Sequence, residues 1–156
     1  MTLPTSLPAG WIAQSKLLLD TFERFVGRPL MARTGDPAED AQRLYLAPFA
    51  ALSHGIEADP ILNYANRIAL EMWEMTPEVL VITPSRLTAE PMLREARERV
   101  LEETTRRGFI SGYEGVRISA TGRRFFIQNV TIWNLIDGGG RPAGQAATFD
   151  RWSDAA

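Results

Sequence analysis

The sequence predicts an α+β domain in which helices pack on an antiparallel sheet, and three observations predict it. An amphipathic helix comes first. Two short strand-like runs follow, leading into several helix start signals and one longer charged helix. The chain then ends in three strand-like runs joined by Gly-containing turns, the pattern of an antiparallel meander. The chain has 156 residues, enough for one domain with a substantial core. That domain is expected over residues 11–152. Residues 1–10, rich in Pro, Ser, Thr and Gly, form a loose start, and 153–156 form a tail.

The run from Trp11 reads as a helix because Leu18, Phe22, Phe25 and Val26 fall at helical spacing, with Leu19 widening the stripe. Gly27 and Pro29 end it. Trp11 and Leu17 fall partly outside the stripe, so the helix carries more apolar surface than one packing face needs. Asp36 before Pro37 is an N-cap signal for a short helix ending near Leu46. Strands follow at "PFAALSHG" and "PILNYAN". Asn66 caps "RIALEMWEM", and Thr76 before Pro77 and Glu78 repeats the signal. Thr88 is placed to cap "AEPMLREARERVLEETTRR", which ends at Gly108. In that helix Glu90/Arg94, Glu95/Arg99, Glu102/Arg106 and Glu103/Arg107 stand at (i, i+4) with the acid first. Each such pair stabilises a helix by roughly 0.2–0.5 kcal/mol. The last strands lie in "FISGYEGVRISA", "RRFFIQNVTIWNLI" and "RPAGQAATFDRW".

Composition removes several function classes. There is no cysteine, which excludes disulfides, thiolate metal sites, Cys nucleophiles and cysteinyl-flavin photochemistry. The net charge of -2 gives no reason to expect nucleic acid. The arginines at 94, 97, 99, 106 and 107 alternate with glutamates, the mark of a solvated, ion-paired helix face. No apolar run reaches membrane-spanning length, and the N-terminus has no secretory pattern, so a soluble cytoplasmic protein is expected.

His54 is the only histidine, with Glu57 and Asp59 close behind it. A strand end followed by a turn does not bring three such residues to one face. They are therefore read as turn residues meeting backbone and solvent, Asp59 ordering the turn before Pro60, with no metal site and no catalytic residue. No nucleophile elbow accompanies the histidine. The glycine-rich "DGGGRPAG" links two strands instead of opening a helix, so it is a hairpin and not a phosphate loop.

The order of elements, together with "ILNYANRIALEMWEMTPEVL" and "LIDGGGRPAGQAATF", resembles that of a PAS domain. More closely, "PFAALSHGIEADPILNYANRIALEMWEM", "PSRLTAEP", "RRGFISGYEGVRIS" and "GQAATF" resemble bacterial single-domain relatives of the MEKHLA family. The likeness runs from about Leu17 to Phe149. It implies a PAS-like fold: a five-stranded antiparallel sheet with short helices on one face and an N-terminal helix. In plants the family forms the C-terminal domain of certain homeodomain–leucine-zipper transcription factors. This sequence lacks the Met-Glu-Lys-His-Leu-Ala string that names the family, and a homeodomain, zipper or lipid-binding module, so transcriptional control is not implied. A sensory or dimerising module is.

In "FFIQNVTIWNLI" both faces are mostly apolar, so both are expected to be covered: one by the domain interior, the other by the N-terminal helix or a second subunit. Asn129, Thr131 and Gln145 become candidates to hydrogen-bond a ligand in an apolar pocket. Trp133 stands on the same strand. Trp73, Met72 and Met75 are candidate lining, with plain core as the alternative. The expected function is a non-enzymatic sensory or regulatory module that binds a small, largely apolar molecule or a protein partner. No cofactor is assigned, no nucleic acid or membrane is expected, and output passes to a separate effector protein. A homodimer is expected through Trp11, Leu17, Leu19 and Phe22. Two alternatives stand beside this reading. One is a small enzyme using Glu, Asp, Tyr or Arg in a pocket of the sheet. The other is an oligomerisation domain with a filled core and no ligand.

Overall fold

The computed structural model describes residues 7–155, the side chain of Met92 excepted. Most of the predicted loose start, residues 1–6, lies outside the described residues. Helix α1 (Trp11–Val26) leads, and Gly27 ends it in the left-handed conformation that glycine adopts without a Cβ penalty. Helix α2 (Pro37–Tyr45) starts at Asp36, whose carboxylate accepts from the Ala38 amide. Strands β1 (Ala50–His54) and β2 (Leu62–Ala65) follow. Then come α3 (Arg67–Trp73), α4 (Pro77–Leu80), a 3₁₀ turn at Ser85–Thr88 and α5 (Pro91–Arg107). Strands β3 (Phe109–Ile118), β4 (Arg124–Ile136), β5 (Pro142–Phe149) and β6 (Arg151–Asp154) complete the chain.

The main sheet is antiparallel in the order β2-β1-β5-β4-β3, the expected five strands, and β6 adds a sixth against β4. Strand β6 carries ordered structure to Asp154, two residues beyond the predicted domain end. Among the described residues no helix is long and apolar enough to cross a membrane.

Asn66 does far more than cap α3. Its Oδ1 accepts from the amides of Ala69 and Ala51, and its Nδ2 donates to the carbonyls of Leu44 and Phe49. Fully buried, it ties α2, the entry to β1 and the start of α3 together. Thr76 caps α4 as expected. The cap of α5 falls differently: Thr88 closes the 3₁₀ turn by donating to the Ser85 carbonyl, and Glu90 takes the N-cap position. Glu90 is drawn to Arg124 at 2.5 Å, and Arg94 donates to the carbonyls of Arg86 and Ala89. Of the four predicted (i, i+4) pairs, Glu95–Arg99 and Glu103–Arg107 form.

Helix α1 covers the outer face of the sheet. Trp11 packs on Tyr64 with ring centroids 4.8 Å apart, and Phe22 meets Trp133 edge-on at 5.0 Å. The Trp133 indole donates to Thr21 at 2.9 Å. Three of the four residues predicted for a dimer interface are thereby turned onto their own sheet. Trp11, Leu19 and Phe22 are buried within one chain at 3%, 1% and 0% exposure, and Leu17 is half-buried against the same core. The excess apolar surface is taken up by the sheet, against which α1 buries Trp11 and Leu19 as well as Leu18 and Phe22.

Candidate functional site

The inner face of the sheet, opposite α1, forms one wall of a cavity of about 60 Å³, room for a few waters or the head of a small ligand. Leu52, Ile127, Val130 and Ile132 line it from the strands, Trp73 from α3, and Leu101 from α5. Trp73 is held at the rim by edge-on contacts with Phe125 and Phe149 and by its indole, which faces the Thr88 carbonyl at 3.5 Å. Polar groups interrupt the apolar wall at His54, Thr88, Arg97, Arg117 and Gln145.

Two of the six predicted pocket residues reach this cavity, Gln145 and Trp73. Gln145 Nε2 donates to the Leu101 carbonyl, Thr105 Oγ1 and Asn134 Oδ1, tying β5 to α5. Met72 is buried beside the cavity without lining it, and its carbonyl accepts from Arg123. Asn129, Thr131 and Trp133 belong to the opposite face. Asn129 and Thr131 border an outer groove with Phe22 and Leu30, and Trp133 packs on α1.

The reason is a bulge. Asn129 has φ of 54°, a left-handed conformation that Asn tolerates better than most residues. Around it Gly115 opposes Ile127 while Tyr113 opposes Val130, which leaves Glu114 of β3 against both Gln128 and Asn129 of β4. An extra residue reverses the alternation beyond it. Phe125 and Ile127 therefore face inward before the bulge, and Val130 and Ile132 face inward after it. Strict alternation across the whole of β4 had assigned Asn129 and Thr131 to the wrong face.

His54 lies in the strand expected of "PFAALSHG", but it is buried instead of meeting solvent. It sits in β1, 9% exposed, and lines the cavity. Its Nδ1 meets the Gly55 carbonyl at 3.0 Å, while the buried Nε2 has no hydrogen-bond partner among the described residues. The carbonyl bond makes Nδ1 the proton-bearing nitrogen of the neutral ring. The next turn is ordered by Glu57, whose carboxylate accepts from the Ile61 amide, and Asp59 pairs with Arg86 at 3.2 Å. Among the described residues no group of three or more His, Cys, Asp or Glu is placed to hold a metal ion. Gly144 lies against the end of β1, where any Cβ would overlap the His54 carbonyl.

Burial lowers the His54 pKa from its ordinary value of 6.5, outweighing the bond to the Gly55 carbonyl, which raises it; the charge of Arg97 lowers it further and that of Glu57 raises it slightly. The folded chain thus binds this proton less readily than the unfolded chain. The His54 contribution to stability is complete above pH 6.5 and is lost as the pH falls through 6.5 toward the folded value. As the chain's single histidine, His54 is expected to show one imidazole C2–H resonance titrating below 6.5 in the folded state. A midpoint at or above 6.5 by NMR contradicts the buried, neutral placement.

Arg97, Arg117 and His54 were not among the predicted pocket residues. Arg97 did leave a trace. It stands four residues from both Leu93 and Leu101, in the apolar stripe of α5 and outside every (i, i+4) acid–base pair. Arg117 left none, because its inward direction depends on the register of β3.

A family model described as the MEKHLA domain matches residues 12–154. Among solved structures, a PAS domain of a protein from Colwellia psychrerythraea superposes with a TM-score of 0.62 at 14% identity, covering 75% of this chain and 94% of that one. A light-oxygen-voltage domain studied with a flavin analogue gives 0.58 at 15%, with 74% and 84% coverage. The PAS domain of a LuxR-family transcriptional regulator from Burkholderia thailandensis, in complex with ethanol, gives 0.53 at 16%, with 72% and 93% coverage. These likenesses show the fold. No curated protein sequence matches the chain.

Proposed function

This chain belongs to the MEKHLA domain family and has the PAS-like fold of sensory domains, and from that premise we propose that it is a non-enzymatic sensor that binds a small molecule inside the sheet and signals to a partner protein. The cavity between the inner sheet face and α5 carries this reading. It is mostly apolar with a few convergent polar groups, the composition of a small-molecule site. Helix α5 is the wall that opens most readily. Thr104 is its only fully buried side chain among those described, with Leu93, Val100 and Leu101 half-buried. Elements with few buried contacts open at low free-energy cost, so a ligand that enlarges the cavity displaces α5 first, and that displacement is the signal a partner reads.

Native mass spectrometry of the purified protein tests the reading. The expected result is a small-molecule adduct that disappears on denaturation and is lost in Ala147→Met, where a longer side chain fills the cavity from β5. An adduct-free chain that also shows no thermal shift across a small-molecule library overturns the sensor and favours a filled interaction domain. The expected homodimer stays in the proposal without the α1 interface, since that helix is occupied by its own sheet. Sedimentation at tens of micromolar, an order of magnitude chosen to populate weak self-association, decides it.

A further inference from the structure

Among the arginines of the described residues, Arg97 and Arg117 differ in their setting. Both line the interior cavity, one from α5 and the other from β3. No ion pair to a carboxylate forms at either one among the described residues. No Asp or Glu lines the cavity. Arg117 is 7% exposed. Its guanidinium donates to the Val116 carbonyl at 2.9 Å and the Tyr113 hydroxyl at 3.2 Å, and stacks 5.4 Å from the Tyr113 ring. Two of its five N–H donors are thereby used. Arg97 makes no hydrogen bond among those observed. Lost hydration lowers its pKa to about 10, and the charge of Arg117 adds to the effect.

Two cations facing one largely apolar cavity with no carboxylate in its lining is an unfavourable arrangement, because partial desolvation and like-charge repulsion act together, and Tyr113 and Glu98 offset only part of this at Arg97. An anion between them removes both penalties, and hydrogen bonds to charged groups are the strong ones. The apolar part of the wall, interrupted by His54, Thr88 and Gln145, selects what the anion is attached to. Leu52, Leu62, Ile127, Val130, Ile132 and Trp73 offer only apolar surface. A planar guanidinium matches a carboxylate with two parallel hydrogen bonds.

Resting on the sensor reading above, we propose that the cavity binds a small organic carboxylate, its charge held between Arg97 and Arg117 and its apolar body against the inner sheet face. The carboxylate links α5 to β3. A ligand seated between the two resets the position of the loosely buried helix relative to the sheet, which couples occupancy to the wall already identified as the moving part.

The test uses two matched probe pairs, butyrate with butyramide and benzoate with benzamide, and inorganic phosphate as a separate arm, at constant ionic strength. Thermal shift and the His54 imidazole resonance are read together. The expected result is saturable binding of the carboxylates, with each amide at least about tenfold weaker, the factor corresponding to 1.4 kcal/mol. Arg97→Met and Arg117→Met each abolish the carboxylate response. Arg97→Met retains or raises the melting temperature of the free protein, since it removes a repulsion, so loss of binding is not loss of fold. Arg99→Met, on the solvent side of the same helix, changes nothing. If amides bind as well as carboxylates and the arginine variants are silent, the charge assignment is wrong while an interior small-molecule site survives. Phosphate binding more tightly than either carboxylate overturns the carboxylate assignment. Absence of saturation by any probe up to roughly 50 mM, a dissociation constant worth under about 2 kcal/mol, overturns the proposal, and the adduct measurement then judges the sensor reading separately.

Discussion

Asn66→Ala is expected to destabilise the domain by about 3–5 kcal/mol, lowering the melting temperature by on the order of 10 °C. The magnitude follows from what the amide satisfies. Were Asn66 only the N-cap of α3, its loss would cost about 1 kcal/mol. In the structure it bonds four backbone groups, the amides of Ala51 and Ala69 and the carbonyls of Leu44 and Phe49, in a fully buried position. Removing the side chain leaves groups of both polarities without partners, and each buried unsatisfied group costs roughly 1–3 kcal/mol before relaxation. Asn66→Asp is a sharper probe. It keeps the Oδ1 acceptor for the two amides but sets a carboxyl oxygen against two carbonyls. Its penalty is expected to shrink at low pH, where the protonated carboxyl regains a donor. Equilibrium urea unfolding measures both. A loss near 1 kcal/mol for Asn66→Ala returns this residue to a simple cap.

Leu19→Glu is expected to abolish cooperative folding, whereas Leu17→Glu leaves a folded and modestly weakened protein. Leu19 is 1% exposed and lies in the core between α1 and the sheet. The substitution removes a buried Leu, worth about 2–5 kcal/mol when truncated, and places a carboxylate where the surroundings are apolar. The charge adds several kcal/mol more or forces the group to hold its proton. Small domains have about 5–15 kcal/mol in total, so this one substitution consumes most of it. Leu17 is half-buried at the edge of the same layer, and its glutamate reaches water. Circular dichroism with sedimentation velocity separates the outcomes. A folded monomer from Leu19→Glu, derived from a dimeric parent, would restore α1 as a subunit interface and overturn its assignment to the core.

The local structure of this protein was written in its sequence. The limits of α1, the Asp36, Asn66 and Thr76 caps, and the meander all follow from short-range rules. Left-handed glycine at a helix end, an oxygen-bearing side chain at a helix start and apolar spacing act within a few residues. The α+β class and the five-stranded sheet followed from the order of those elements. Local rules could not settle which face a side chain meets. Asn129 shows why: one bulge reverses the alternation of β4 and moves Asn129 and Thr131 from the interior to the α1 side. Trp11 and Leu19 show the same limit in a helix, since how much apolar surface is spare depends on which side chains of the sheet receive it, as Tyr64 receives Trp11. The candidate site was legible in Gln145 and Trp73. His54, Arg97 and Arg117 come from β1, α5 and β3, separated by up to 63 positions between His54 and Arg117, and only the packing of α5 over the sheet brings them to one cavity. Short-range patterns in the chain were enough for the main helices, the five strands and their order. Which charges share an interior follows from register and desolvation, which no local pattern encodes.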